Sequence, residues 1–404
     1  MKDVNNFVLN LYNNNGSFSY SPANRISNLY STCFGIMCLD LINKLDNFQD
    51  KDKVAKYIQS YQDKETGYFI DQTVIPKDNA THNQEYIFLQ LTDFAQLALS
   101  TLNKKPQHNY IFLNRYKDEK YLEKWFYGLN WKNPWLVSNS IMFILDCLIY
   151  EDENKNKKYI TIIIDLLNKA QDSKNGYWNL RNKVTLHNQM AGAYHFVFFY
   201  TYLDIEPNYV EKIIDSTLAI QNHDGLFNYE GGGGSCDDLD AIDLLCRATF
   251  YSDHNTSKLK KSLQAAYNSL LSNQNEDGGF CWAKRNNLNL NDFIYIINFK
   301  IFCNKYDIIS NGISKIKKIV YNISKNDIYW KYSGLETMKL KTDESDLFSI
   351  WFRLTSIAFI ETTFPDIHEQ SFDWNLRKKC GLGFYKKSKN FNNYICIREL
   401  KTSI

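Results

Sequence analysis

"QNEDGGFCW", residues 274–282, separates two helical patterns, "LKKSLQAAYNSLLSN" (259–273) and "NDFIYIINFKIFCNKY" (291–306). An apolar helix end, polar residues, a glycine and an aromatic follow one another in a fixed order. The same phrase recurs as "NNNGSF" at Gly16, "YQDKETGYF" at Gly67, "AQDSKNGYW" at Gly176 and "IQNHDGLF" at Gly225. Two degenerate copies, "YGLNW" at Gly128 and "SKNDIYW" ending at Trp330, fill the gaps in the series. A spacing of about fifty residues marks an internal repeat rather than a set of unrelated turns.

Each copy follows one helical pattern and precedes another, so the unit is helix, short loop, helix. Glycine in the left-handed conformation ends the first helix, and the aromatic packs the turn against its neighbour. The first helix of a pair is amphipathic, as in "EKIIDSTLAI" (211–220); the second is apolar nearly all round, as in "HNQEYIFLQLTDFAQLAL" (82–99). Apolar helices need other helices on every side. The expected fold is therefore all-α: an α/α toroid of six or seven helical hairpins, inner helices enclosed by outer ones. An open superhelical array is the alternative, but its concave helices would be more polar. Residues 1–370 are expected to form one toroid, with a C-terminal tail, 371–404, packing over one end.

"QNEDGGFCW" resembles the QW repeat of terpenoid cyclases and of protein prenyltransferase β subunits, with "QNHDGLF" and "QDSKNGYW" as weaker copies. Similar turns occur in glycan-active toroids, and a shared fold does not fix a reaction. "CDDLDA" (236–241) is similar to the aspartate-rich DxDD acid of class II terpene cyclases, but Ala241 stands where that motif wants a further Asp. The prenyltransferase likeness implies a zinc held by Asp, Cys and His. Cys236 and Cys281 have the chemistry for it, yet "GGFCWAK" lacks the Asp-x-Cys arrangement.

Bulk properties narrow the partners. A formal charge of +2 with interspersed signs offers no basic groove, so nucleic acid is disfavoured. No apolar run reaches membrane-spanning length, and the start, "MKDVNNFVLNLYNNNGSF", lacks a signal-peptide pattern. Nine cysteines are scattered singly, and Cys33, Cys38, Cys147, Cys246 and Cys303 fall on apolar faces. A reduced, cytoplasmic protein is expected. Oligomeric state is not written in the pattern.

The turns lead into the inner helices, whose N-terminal ends should gather at one mouth and favour carboxylates or anions there. The first turns offer His82 and Glu85, Asn139, His187, Tyr194 and His195, Asp237, Asp238, Asp240 and Asp243, then Asn291 and Asp292, and Asp343 and Asp346. Asp237, Asp240 and Asp243 lie along one helix face, with Arg247 four residues further on. Crowded carboxylates raise one another's pKa, which makes Asp240 the expected catalytic acid or base, with Asp238 tuning it and His187 assisting. On the last inner helix Asp346, Trp351 and Arg353 complete the substrate-binding set, with Arg353 expected to hold an anionic group. The glycine run, Gly231 to Gly234, can present amides to phosphate or sugar.

The favoured function is an enzyme acting on a saccharide or glycolipid by carboxylate acid/base chemistry at the barrel mouth. The alternatives are a terpenoid cyclase or prenyltransferase-like enzyme acting on an isoprenoid, and a non-catalytic toroid that binds glycan or peptide. No cofactor is expected, although a divalent metal at Asp237, Asp238 and Asp240 fits the chemistry of hard oxygen ligands.

Overall fold

Five repeat turns place their glycine at φ between 78° and 93°, the left-handed region. The glutamine that opens four of them is the clamp. Gln62 Nε2 donates to the Gly67 carbonyl (3.1 Å) and to the His108 carbonyl (2.8 Å), and Gln62 Oε1 accepts from the amides of Gln107 and His108. Gln171 bridges the Gly176 and Asn208 carbonyls, and Gln221 those of Gly225 and Ser262. Each side chain thus ties its own turn to the following hairpin. At Gly225 the backbone passes so close to the next outer helix that a Cβ would sit 2.7 Å from the Ala265 carbonyl.

The structure is a computed structural model and describes residues 3–74, 82–181, 184–229, 232–284, 328–368 and 372–386. The helices are α1 (Val4–Leu9), α2 (Leu29–Leu41), α3 (Lys51–Gln59), α4 (Gln84–Thr101), α5 (Glu119–Gly128), α6 (Pro134–Ala170), α7 (Leu186–Tyr202), α8 (Val210–Ala219), α9 (Ser235–Ala248), α10 (Thr256–Ser272) and α11 (Leu347–Thr363), and a short antiparallel pair, β1 (Tyr12–Asn13) and β2 (Ser17–Phe18), flanks the first glycine turn. At Asp152 α6 turns on an extended residue, and the Asp152 carboxylate caps the second half through the Lys155 amide. The first half of α6 joins α2, α4, α7, α9 and α11 as the inner ring, each helix packing on the next and α11 returning to α2. Among the described residues six inner helices close the circle. They are buried on almost every side, whereas α3, α5, α8 and α10 bury one stripe.

The fold is the expected α/α toroid, with two local corrections. Gly128 does not take the left-handed conformation of the repeat, and a Cβ there would touch nothing, so "YGLNW" only ends α5. Trp330 belongs to a hairpin, β3 (Tyr329–Lys331) paired antiparallel with β4 (Lys339–Lys341), not to a helix–loop–helix turn. Cys303, Asn291 and Asp292 lie outside the described residues. Cys33, Cys38, Cys147 and Cys246 are buried, as their apolar faces predicted.

Residues 372–386 cross the C-terminal ends of the inner helices and form a floor. Asn375 bonds the Leu41 carbonyl and Asp40 at the end of α2; Arg377 reaches the Leu97 carbonyl, Thr101 and Tyr150; Trp374 Nε1 donates to Glu361 at 2.6 Å. The Phe384 carbonyl accepts from Arg247. Above this floor sit two carboxyls that the sequence reading passed over, Asp93 of α4 and Asp146 of α6, both fully buried. Burial pushes Asp93 up to about 7 against the pull of Gln96 and Arg377. Burial and the charge of Asp93 hold Asp146 well above the usual carboxylate range.

Two outcomes follow from these contacts. Gly225→Ala forces a side chain into the left-handed region and against Ala265, and should lower unfolding free energy by about 2 kcal/mol or more, read from urea denaturation. A carboxyl whose folded pKa is raised stabilises below its ordinary pKa, and that contribution is lost as pH rises through the folded value. Stability should therefore fall from about pH 4 through about pH 7, by up to about 1.4 kcal/mol per pH unit for each proton. Asp93→Asn/Asp146→Asn should shallow that slope in unfolding curves taken across the window.

Candidate functional site

Helix α9 opens on the glycine run, and its first turn shows how the aspartates divide their work. Asp238 Oδ1 accepts from the Phe227 amide at 2.7 Å and Oδ2 from the Gly234 amide at 3.0 Å, which pins the preceding turn to the helix. Oδ2 also meets Arg353 Nη1 at 2.5 Å, and neither side chain is exposed. Arg353 Nη2 donates further to the Trp282 carbonyl (2.5 Å), so α9, α11 and the "QNEDGGFCW" turn share one guanidinium. The glycines pass directly over this pair: a Cβ on Gly233 would lie 2.9 Å from Arg353 Nη2 and 3.0 Å from Asp238 Oδ2. The Gly232 amide goes to Asp224 at 2.6 Å. The run thus serves close approach, and the amides of Gly232 and Gly234 are taken by aspartates rather than offered to a phosphate or sugar.

Arg353, expected to hold an anionic group, is here paired with the Asp238 carboxylate. Asp237 accepts from Asn228 Nδ2 at 2.8 Å, and Asp243 holds Arg247 Nε at 2.8 Å, the whole pair buried. Burial pushes Asp243 up to about 6 while Arg247 pulls it down. Only Asp240 is left over. Its residue is 1% exposed and neither carboxyl oxygen has a hydrogen-bond partner. Burial first, then repulsion from Asp237, Asp243 and Asp238, holds it well above the usual carboxylate range and so favours its protonated form. The four aspartates do not converge on a point, and among the described residues no group of three or more His, Cys, Asp or Glu is placed to hold a metal. Cys281 gives its thiol to the Asn273 carbonyl at 3.4 Å.

The face of α9 that carries Asp240 looks into the ring. Cys236, one turn earlier, lies near enough to Tyr86 on the opposite helix α4 to raise its phenol. Tyr194 of α7 is buried beside Asp240 and Asp243, and its hydroxyl has no hydrogen-bond partner. The wall between α2, α4 and α11 is aromatic: Phe34 meets Phe94 (5.0 Å) and Phe348 (5.3 Å), and Phe348 meets Phe352 (4.3 Å). Trp351 packs beside them, 6.4 Å from Phe34. Asp240, Tyr194 and Trp351 are therefore brought to one interior.

The remaining expected residues have the following partners. Glu85 is exposed and paired with Arg115, outside the ring. Asp346 caps α11 through the Ser349 amide (2.8 Å) and hydroxyl (2.7 Å), and Asp343 precedes it in a turn. His195 shares a hydrogen bond with Ser138 at 2.9 Å, and burial pushes it down to about 3, which keeps it neutral. Asn139 Nδ2 caps the Trp135 carbonyl of its own helix. His187 is buried with its ring 6.3 Å from Tyr229, and His82 lies edge-on to Tyr86 at 4.6 Å. Gln90, whose Oε1 accepts from Tyr30 (2.7 Å) and Ser333 (2.9 Å), was missed. A polar residue amid "YIFLQLTDF" was the available signal.

A closed ring of helical hairpins clamped by glutamine turns, with aromatic side chains on its inner wall, defines an α/α toroid. The prenyltransferase alpha-alpha toroid domain matches residues 1–91 and 102–288, and the chain belongs to that family. No curated protein matches the sequence. Among solved structures it is similar to the type II terpene cyclase MstE from Scytonema, at 11% identity over 69% of this chain and 79% of that one, with a TM-score of 0.44. The ent-copalyl diphosphate synthase from Streptomyces platensis gives 12% over 72%, TM-score 0.36, and this chain covers 50% of its length. Protein geranylgeranyltransferase-I from Candida albicans, complexed with GGPP, gives 13% over 82% and 84%, TM-score 0.29. Among the described residues no helix is long and apolar enough to cross a membrane.

Removing one member of a buried ion pair strands the other in low dielectric. Arg353→Met should cost about 3–5 kcal/mol in chemical denaturation, and adding Asp238→Asn should restore part of it.

Proposed function

We propose that this toroid acts on an isoprenoid, with Asp240 as a buried proton donor. The observation that carries the reading is the buried Asp240 carboxyl, without a hydrogen-bond partner, on an inner helix of a ring whose wall is aromatic. Asp240 Oδ–H gives its proton to a carbon–carbon double bond; the π electrons form the new C–H bond, leaving a carbocation and the Asp240 carboxylate. Aromatic faces stabilise a cation by several contacts, each worth about 0.5–2 kcal/mol. Exclusion of water strengthens the attraction between carboxylate and carbocation and prevents premature quenching. Loss of a proton from a neighbouring carbon, or capture by a nucleophile, ends the sequence.

The favoured saccharide reading loses its chemistry here. Glycoside hydrolysis needs two carboxyls flanking a bond, one of them free to act as base or nucleophile. Asp238 and Asp243 are bound to arginines, and Asp237 to Asn228. Membership of a prenyltransferase-type family also supports the isoprenoid alternative over glycan.

The test is incubation with linear polyprenyl diphosphates and polyprenyl hydrocarbons, followed by mass spectrometry of the products. Asp240→Asn should cut product formation by about 10²–10⁴-fold while leaving ligand binding intact. Turnover by the wild type should decline as rising pH ionises Asp240, whose burial and neighbouring aspartates raise its pKa. A variant that turns over at the wild-type rate would remove Asp240 from the reaction.

A further inference from the structure

The β3–β4 hairpin lies on the surface at Tyr329 and Lys331, then sends a single aromatic inward. Ser333 (φ 48°) and Gly334 (φ 72°) are consecutive left-handed residues, and this sharp turn aims Tyr332 into the ring. The turn is anchored: Ser333 Oγ donates to Gln90 Oε1 of α4, the same oxygen that accepts from Tyr30 of α2. Trp330 stacks on Trp282 with ring centroids 4.4 Å apart, fixing the hairpin's other edge to the repeat turn. Tyr332 is 6% exposed, and its ring meets Tyr30 at 5.0 Å, Phe348 at 4.7 Å and Phe34 at 5.9 Å. Its hydroxyl end feels Tyr86 of α4, Cys236 of α9 and Cys33 of α2, three different walls. Cys236 is one turn above Asp240 on α9. The Tyr332 ring therefore stands inside the ring of inner helices, packed on α2 and α11 and held to α4 through Ser333 and Gln90.

We infer that Tyr332 is the size-determining residue of the Asp240 site: its ring occupies space that a longer apolar ligand would need. The inference rests on the isoprenoid reading for the class of ligand, and on packing alone for the role of the ring. A hairpin residue is suited to this task. Shortening it leaves the inner helices, the Asp238–Arg353 pair and the Asp243–Arg247 pair in place, because none of them touches Tyr332 through a hydrogen bond.

A length series of neutral probes decides it: geraniol, farnesol and geranylgeraniol, titrated by quenching of tryptophan fluorescence. Asp240→Asn is the background, so that turnover does not deplete the probe. Tyr332→Ala on that background should raise affinity for geranylgeraniol relative to geraniol by about tenfold or more, the worth of burying a few additional methylenes. Tyr332→Phe keeps the ring and should keep the parent preference. If Tyr332→Ala leaves the length preference unchanged, or if both proteins fail to bind all three alcohols, the role assigned to Tyr332 is overturned. Failure of the acid reading shows separately, as full turnover by Asp240→Asn, whatever the length series gives.

Discussion

The glutamine clamp is the interaction on which the architecture depends. A short turn between two helices leaves carbonyls without partners, and a bare turn would let neighbouring hairpins slide. The amide of Gln62, Gln171 or Gln221 satisfies a carbonyl of its own turn and one of the next hairpin together. It therefore sets both the angle within a hairpin and the angle between hairpins. Glycine is required beside it because the backbones are already in contact. With both angles fixed and repeated, the chain curves into a ring rather than an open array.

Once the ring is closed, its interior holds more charge than a core of this kind tolerates without pairing. Arg353 of α11 and Arg247 of α9 itself each find an aspartate on α9, and Arg247 donates further to a carbonyl of the floor segment. Pairing is the condition under which buried ions persist. Asp240 is the exception, without an arginine or a hydrogen-bond donor. Burial and the neighbouring aspartates favour the protonated form of a carboxyl in that position. Asp93 and Asp146 form a second case with a different solution, one carboxyl leaning on the other beside Arg377.

The fold was legible in the sequence because it is written five times: the repeat phrase states turn, spacing and curvature at each copy. Asp240 was legible as well, since a polar residue on an apolar helix with a departed turn before it stands out against the other copies. The roles of its neighbours were not. Arg353 and Asp238 are 115 residues apart, and nothing local says that a guanidinium expected for substrate is consumed by a carboxylate on another helix. Asp346 looked like a site residue because N-caps and mouth ligands occupy the same helical position. Asp93, Asp146 and Gln90 escaped because each is a single polar residue in an apolar run, indistinguishable from a helix-internal hydrogen bond. Tyr332 was hidden by the assumption that Trp330 ended a repeat turn, when the segment is a hairpin.

The last clamped turn does not end on solvent. A Cβ on Gly278 would lie 2.6 Å from the Asp3 carbonyl, and one on Gly279 would strike Phe7 and Ser345, so the fifth glycine turn seats against α1, the first helix of the chain. A linear repeat protein grows or shrinks by one unit at the cost of one interface, and needs polar end caps. A circle has no end to cap and no free length. Insertion or loss of one hairpin would change the circumference, and with it every interhelical angle and the width of the interior. Variation in such a protein is therefore confined to what projects from the ring, the hairpins and connecting segments, while the number of staves stays fixed.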